Sequence, residues 1–175
     1  MSSDPPVEVV ASIEPAAVAE SLVQGYSCDS RCGVILRFGQ IVGDDPMTRY
    51  WLRAASQGRP VGVGAPEQWA HLIHTDDIGP AVLAALVAPA GIFNVGAAPV
   101  RKADLVQAYA KASGVAEVGF LGPVLRRMAG PRIETLTRSQ RVCSDRFSSQ
   151  TGWRPTRPVP AADWFDAARL ELVSP

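Results

Sequence analysis

The stretch Val34-Ile-Leu-Arg-Phe-Gly39 decides how this chain is expected to fold. It is a nearly continuous apolar run, broken by one arginine and bounded by Gly33 and Gly39. A short apolar run between glycines is typical of a strand that is buried on both faces, as in a parallel sheet. The chain is therefore expected to build a parallel sheet around this strand.

Helix and strand patterns alternate on both sides of this run, which favours an α/β fold. Pro15 is expected to open a helix that reaches about Gln24 and ends at Gly25. Asp77 is expected to cap a later helix, with Ile78, Val82, Leu83 and Leu86 along its apolar stripe. The other expected elements are helices over 46–57, 102–113, 123–130, 144–151 and 161–172 and strands over 60–63, 69–74, 91–96 and 118–121. The loop Asp44-Asp45-Pro46 is expected to cap the helix 46–57, and the helix 102–113 is expected to turn Leu105, Val106 and Tyr109 inward. The helix 144–151 is expected to be capped by Ser144 and ended by Gly152.

Composition and charge narrow the class of protein. Lys plus Arg equals Asp plus Glu, so no charge excess points to nucleic acid or to an anionic membrane. The longest apolar run, 81–88, is far shorter than a membrane span. Three cysteines predict a reducing, cytoplasmic compartment. The Cys28-x-x-x-Cys32 spacing is unusual for zinc, so no metal site is expected.

Four blocks resemble, in order, the extended short-chain dehydrogenase/reductase family, the NAD-dependent epimerases and dehydratases. The first, Val34-Ile-Leu-Arg-Phe-Gly-Gln-Ile-Val-Gly43, looks like the family's "lR…vyG" strand and loop. His71 to Ala85 looks like its "vHvdDva.A" block, and Gly91-Ile-Phe-Asn-Val-Gly96 is similar to its "g.yNvg" strand. The fourth block joins Ser139-Gln-Arg-Val-Cys-Ser-Asp-Arg-Phe to Thr151-Gly-Trp-Arg-Pro155.

This resemblance implies the C-terminal portion of a Rossmann-like parallel sheet plus a small substrate-binding α/β subdomain. Residues 1–13 are expected to be a loose start and 14–175 the family-like part. The family's Gly-rich pyrophosphate turn has no counterpart in the sequence. Its Tyr-x-x-x-Lys pair would fall near Ser12 and Ala16, which cannot do that chemistry. The resemblance implies NAD(P) as the cofactor. Because the N-terminal cofactor half is absent, this chain alone is not expected to bind NAD(P). No catalytic residue is expected in it.

Six residues are candidates for lying close to a substrate or cofactor: Arg37, Gly39, Gly43, Tyr50, His74 and Asn94. Arg37 ends the strand, where it could contact a ligand or could form a buried ion pair with Asp44 or Asp77. The resemblance places the backbone from Gly39 to Gly43 against the nicotinamide ring, although glycines there could simply form a turn.

The remaining candidates have equally plain alternatives. Tyr50 and Trp51, on the helix that begins at Pro46, could line a substrate pocket. His74 could act on a ligand or could support the start of the following helix. It cannot share a metal with His71, because residues three apart on a strand point to opposite faces. Asn94 could face the pocket or form a turn.

Three hypotheses follow for function. The first is the substrate-side portion of such an enzyme, acting on a small molecule with a hydroxyl or keto carbon and not catalytic alone. The second is an interaction module whose exposed sheet edge takes a protein partner, a separately encoded Rossmann half. The third is a truncated reading frame without function.

Overall fold

The computed structural model of the 175-residue chain describes residues 14–28, 30–124 and 133–173. It is a mixed α/β structure with small parallel sheets, as the sequence predicted. The expected loose segment 1–13 and the expected helix from 125 onward lie outside the described residues. In chain order the elements are α1 (Glu14–Tyr26), β1 (Val34–Phe38), β2 (Gln40–Val42), α2 (Pro46–Ser56), β3 (Trp69–Ala70), β4 (Leu72–His74), α3 (Thr75–Ala85), β5 (Gly91–Val95), β6 (Val100–Arg101), α4 (Lys102–Ala112), α5 (Glu134–Thr137), α6 (Asp145–Thr151), a 3₁₀ helix (Ala162–Phe165) and α7 (Asp166–Val173).

The two parallel pairs of strands meet at one glycine. β1 lies parallel to β5, and β2 lies parallel to β4. Gly39 stands between β1 and β2, where its N–H donates to the carbonyl of Val95, and the next residue, Gln40, donates to His71. A side chain at Gly39 would lie only 2.8 Å from the carbonyl oxygen of His71. The chain therefore needs a glycine where it passes from one strand partner to the next.

No residue of β1 is fully buried, which corrects the expectation that both faces of this strand are buried. Val34, Leu36 and Phe38 pack against a core cluster that includes Phe93 and Trp153. Alternation along the strand puts Ile35 and Arg37 on the opposite face, beside α1, where Arg37 is exposed. Among the described strands, β5 is the one neighbour of β1, so β1 is an edge strand of the described sheet.

The helices α1 and α3 differ from their predictions in bounds and in buried face. Helix α1 runs through Gly25 and none of its residues is buried. Helix α3 begins at Thr75 and not after Asp77, so Pro80 lies inside it. Of the predicted stripe, Ile78 packs against the core cluster beside Ala81, whereas Val82, Leu83 and Leu86 are 47%, 68% and 78% exposed. The predicted stripe is therefore right at Ile78 and wrong at the other three positions.

A second core lies between α2 and α4. Asp45 caps α2 by accepting from the N–H groups of Met47 and Thr48, as the Asp-Pro pair predicted. The inward residues of α4, namely Leu105, Val106 and Tyr109, pack there as expected. The expected strands 60–63 and 118–121 are reduced to one parallel bridge between Gly62 and Phe120. The expected strand 69–74 is split at His71 into β3 and β4.

The C-terminal helices follow the predicted positions with changed details. Helix α6 ends at Gly152, whose φ of 75° is the left-handed conformation that suits glycine. Ser144 precedes α6 but makes no side-chain cap. Its hydroxyl instead bonds the backbone N–H and C=O of Gly96, tying α6 to the end of β5. The expected helix 161–172 is a 3₁₀ turn followed by α7.

Candidate functional site

A cleft opens at the carboxyl end of β1. It has a volume of about 230 Å³ and its walls come from four parts of the chain, the β1–β2 junction, the segment 69–71, Lys102 at the start of α4 and the segment 135–140. Ligands of open α/β sheets bind outside the carboxyl ends of parallel strands. The position of this cleft therefore makes it the candidate ligand site. Its volume is below roughly 300 Å³, the lower end of the range for small-molecule pockets.

The cleft is positively charged in a chain whose net charge is zero. Lys102 and Arg138 line it, and no Asp or Glu is among the described residues that do. Trp69 also lines the cleft. The guanidinium groups of Arg101 and Arg141 lie over its ring, 4.0 Å and 4.8 Å from the ring centroid. A low-dielectric cleft with one sign of charge attracts the opposite charge.

Behind the cleft lies a smaller chamber of about 40 Å³. Gln40, Ala70, Lys102 and Leu136 line both spaces, so the two adjoin. The inner walls are mostly apolar, and they include Tyr109, whose buried hydroxyl has no hydrogen-bond partner among the described residues. Burial raises the pKa of this tyrosine, so the phenol is neutral and able to donate. The chamber can hold a few water-sized groups.

Of the six residues singled out in the sequence, Gly39 alone lines this cleft. Arg37 and Asn94 are direct partners in the β1–β5 register and share a separate groove of about 430 Å³ on the α1 face of the sheet. Arg37 is exposed and pairs with Glu20 on α1 at 2.6 Å. This corrects the expected buried pair with Asp44 or Asp77. Asp44 pairs with Arg49.

Gly43 and His74 lie together, away from the cleft lining. A side chain at Gly43 would come within 2.9 Å of His74 Nε2, and the φ of this glycine is 132°. His74 Nδ1 accepts from the N–H of Asp76 at 3.2 Å, so its Nε2 carries the proton and donates to the carbonyl of Trp164 at 3.1 Å. Both ring nitrogens are thereby engaged in holding the start of α3 and the 3₁₀ helix.

Tyr50 lies on the outer side of α2. Its ring is 58% exposed and stands edge-on to Trp51, with 5.1 Å between ring centroids. Trp51 is the one of the two that lines the inner chamber. Of the two aromatic residues named from the sequence, Trp51 thus lies at a cavity wall and Tyr50 does not.

His71 is the histidine that lines the cleft. It is 4% exposed, and its Nε2 lacks a hydrogen-bond partner among the described residues. Burial lowers its pKa, so the ring is neutral at physiological pH. Sequence reasoning treated His71 only as a possible metal ligand. Within the described residues no group of three or more His, Cys, Asp or Glu side chains is placed to hold a metal ion.

The sequence argument also missed Lys102, Gln40, Arg138 and Gln140. For Lys102 a signal was present, because it precedes the inward residues Leu105, Val106 and Tyr109 by three, four and seven positions. That spacing puts it on the buried face of the helix. The other three lie in irregular segments or at a strand start, where no periodicity indicates direction.

The geometry of this chain matches solved structures of epimerases. A human epimerase family protein, SDR39U1 isoform 2 with NADPH, matches at 22% identity and a TM-score of 0.67, over 84% of this chain and 50% of that one. A nucleoside-diphosphate-sugar epimerase from Pseudomonas aeruginosa matches at 15% identity and a TM-score of 0.73, over 98% and 57%. The fold is that of Rossmann-like epimerases.

A third match is the UDP-glucose 4-epimerase of Thermus thermophilus in complex with NAD, at 23% identity and a TM-score of 0.61, over 88% of this chain and 50% of that one. The chain therefore spans about half the length of the structures it matches. No protein-family model and no curated protein matches the sequence. Among the described helices, none has the length and apolar character needed to cross a membrane.

Proposed function

We propose that this chain is the substrate-side portion of an NAD-dependent epimerase/dehydratase-like protein, an extended short-chain dehydrogenase, and that it is not catalytic alone. The observation that carries the proposal is the cleft at the carboxyl end of β1, in a fold that matches half of several epimerases. Its substrate is a small molecule with a hydroxyl or keto carbon. The three free cysteines fit a cytoplasmic setting.

The cofactor of the proposed enzyme is NAD(P), supplied from outside the described residues. Two of the matched structures contain NADPH or NAD, and their other halves are the parts that this chain does not match. Gly39 is buried, and it is part of the cleft lining at the end of β1. In this proposal the 175 residues bind the substrate. The redox chemistry also needs a pyrophosphate-binding turn and a proton-transfer pair, which this sequence lacks.

Isothermal titration of the purified chain with NAD⁺, NADH, NADP⁺ and NADPH tests this proposal. The expected result is no binding in the micromolar range by any of the four and no oxidation or reduction of alcohols or ketones. Micromolar binding of one of these four nucleotides would contradict the proposal that this chain alone does not bind the cofactor.

A second candidate is an interaction module that completes a composite enzyme with a separate Rossmann half. Two surfaces beside β1 favour it. On α1, Val18, Leu22 and Tyr26 are four residues apart and more than half exposed, so they form one apolar stripe. At the other helix, Leu83 on α3 and Leu86 just after it are 68% and 78% exposed. Because side chains alternate along β1, these two helices lie on opposite faces of the strand. Their exposed apolar side chains therefore flank β1 on both faces, beside the edge at which a partner strand could bind.

Size-exclusion chromatography with light scattering, together with binding of a hydrophobic dye, tests the second candidate. The chain is expected to self-associate or to bind dye, and Leu22→Glu or Leu83→Glu is expected to reduce both. Val159→Glu is the matched control, because Val159 is 61% exposed but lies outside both helices. A clean monomer with low dye binding would contradict the interaction module.

A further inference from the structure

Lys102 is a buried cation without a counter-charge among the described residues. Its residue is 6% exposed, and its Nζ donates to Gln68 Oε1 at 2.9 Å and to the carbonyl of Leu136 at 2.6 Å. Both acceptors are neutral, and no described carboxylate pairs with this ammonium group. An ammonium group has three N–H donors, so one remains for another acceptor.

Such a group is costly to bury. Buried lysines are rare unless they are paired, because the ammonium loses its hydration without recovering it from an opposite charge. Burial accordingly lowers the pKa of Lys102. A negatively charged ligand in the adjoining cleft would supply the missing charge and the third acceptor.

We propose that Lys102 binds an oxyanion group of the ligand, a phosphate or a carboxylate, at the junction between the cleft and the inner chamber. The position fits, because Lys102 lines both spaces. This inference deepens the proposed function, since the oxyanion belongs to the substrate of that same cleft. It makes Lys102 the residue that selects an anionic substrate over a neutral one.

The surroundings of Lys102 support an anion over a neutral ligand. Arg138 lines the same cleft, and the guanidinium groups of Arg101 and Arg141 lie over the Trp69 ring at its wall. None of the described residues that line the cleft or the chamber is acidic. Positive charge is therefore concentrated here, although the whole chain is neutral, and it would steer an anion toward Lys102.

The competing explanation is that Lys102 is only a structural tie. Its two hydrogen bonds join α4 to the segment 64–68 and to the end of α5. A tie of this kind contributes to stability whether or not an anion is present. The two explanations therefore differ in one observable, the dependence of stability on an added anion.

Thermal unfolding of the full 175-residue chain separates them. The unfolding temperature is measured against increasing inorganic phosphate, with sodium chloride added to keep the ionic strength constant, for the unmodified chain, Lys102→Met and Lys111→Met. Lys111 is the matched control, because it is the only other lysine, lies on the same helix and is exposed. Phosphate also stabilises proteins by exclusion from their surface, so the difference between chains is the readout.

The expected result is a saturable rise in unfolding temperature for the unmodified chain and for Lys111→Met, with the apparent affinity weakened roughly tenfold or more in Lys102→Met. A parallel titration with acetate distinguishes a carboxylate from a phosphate preference. Equal anion dependence in all three chains, or none in any, would overturn the proposal.

A second measurement covers the case in which Lys102→Met does not fold. The unmodified chain is acetylated with acetic anhydride with and without phosphate, and modification of each lysine is followed by mass spectrometry. Phosphate or acetate is expected to slow acetylation of Lys102 several-fold and to leave Lys111 unchanged. Equal rates at Lys102 with and without either anion would overturn the proposal. Neither measurement involves a nicotinamide cofactor, so failure here is distinct from failure of the proposed function.

Discussion

Asp77 Oδ1 accepts two hydrogen bonds from Thr156, one from its backbone N–H at 2.9 Å and one from its hydroxyl at 2.6 Å. Asp77 is 1% exposed and lies in the first turn of α3, whereas Thr156 belongs to the segment between α6 and the 3₁₀ helix. A single buried carboxylate thus fastens the C-terminal segment to the helix that follows the β2–β4 pair.

Replacing Asp77 with alanine is expected to lower the free energy of unfolding by about 1–3 kcal/mol, because the donors of Thr156 lose their partner. Urea denaturation followed by circular dichroism measures the change. Asp104→Ala is the control, since Asp104 is an exposed acidic residue in the first turn of α4, and it should cost a few tenths of a kcal/mol at most. Equal losses for the two variants would show that the Asp77 contact contributes nothing specific.

The ion pair between Arg37 and Glu20 is expected to contribute less than about 1 kcal/mol, because Arg37 is half exposed. The hydrogen bond and charge of Arg37 hold the pKa of Glu20 below its usual value. The stabilisation is therefore present above the unfolded-state pKa of about 4.3 and is lost as the pH falls through the lowered folded-state pKa.

Urea denaturation of the unmodified chain and of Arg37→Met at pH 7 and at pH 3 tests this expectation. The difference in stability between the two should be larger at pH 7. Arg53→Met, which changes an exposed arginine on α2, should give a difference that does not follow this pH dependence. A gap that widens on acidification would have the wrong sign for the pair.

Two glycines are expected to respond to alanine in opposite directions. At Gly39 a Cβ would lie 2.8 Å from the carbonyl oxygen of His71 and 2.9 Å from backbone carbons. Since backbone atoms must move to accept it, Gly39→Ala should destabilise the chain by about 1–3 kcal/mol. At Gly79, inside α3, nothing lies within 4 Å of the added atom, so Gly79→Ala should stabilise it by roughly 0.5–1 kcal/mol. Chemical denaturation of both variants decides the matter, and the same sign for both would contradict the close approach at Gly39.

Cys28 is expected to be the fastest of the three cysteines to be alkylated near neutral pH. Its Sγ lies 3.4 Å from Arg31 Nε and 3.5 Å from Ser30 Oγ. The hydrogen bond from Arg31, followed by that from Ser30, lowers the pKa of the Cys28 thiol to about 7. The thiolate is the nucleophile, so the alkylation rate should rise through pH 7.

The pH dependence of iodoacetamide labelling, followed by mass spectrometry, measures this rate site by site. Arg31→Met should move the midpoint for Cys28 toward higher pH, because the cation that stabilises the thiolate is gone. Cys143 serves as the internal reference, being exposed and remote in sequence. An unchanged midpoint in Arg31→Met would show that Arg31 does not govern the thiol.

Local sequence rules predicted the elements whose ends carry their own signals. Asp45-Pro46 begins α2, and Gly152 ends α6, because caps act through hydrogen bonds and dihedral angles within a few residues. From the apolar composition of Val34–Phe38, the same rules predicted a strand in a parallel sheet. They gave no register with Gly91–Val95, since the partner lies more than fifty residues away in the chain.

The candidate site was predictable in its position and not in its contents. The sequence pointed to the end of the Val34–Phe38 strand, and the candidate cleft opens there, with both Phe38 and Gly39 in its lining. Arg37 is one position before Phe38, and a shift of one position on a strand reverses the face, so it points to the α1 side. His74 was an equally reasonable candidate, yet its two ring nitrogens are held by α3 and the 3₁₀ helix.

By itself, the sequence determined the α/β class and most helix starts and ends, because these depend on periodicity, caps and glycines close together along the chain. Only the tertiary structure decided that Lys102 would have no counter-charge among the described residues and would lie where the cleft meets the chamber, and that Val82 and Leu83 of α3 would face outward. Both outcomes depend on which distant segments surround a side chain, and burial, charge pairing and desolvation are properties of that three-dimensional neighbourhood.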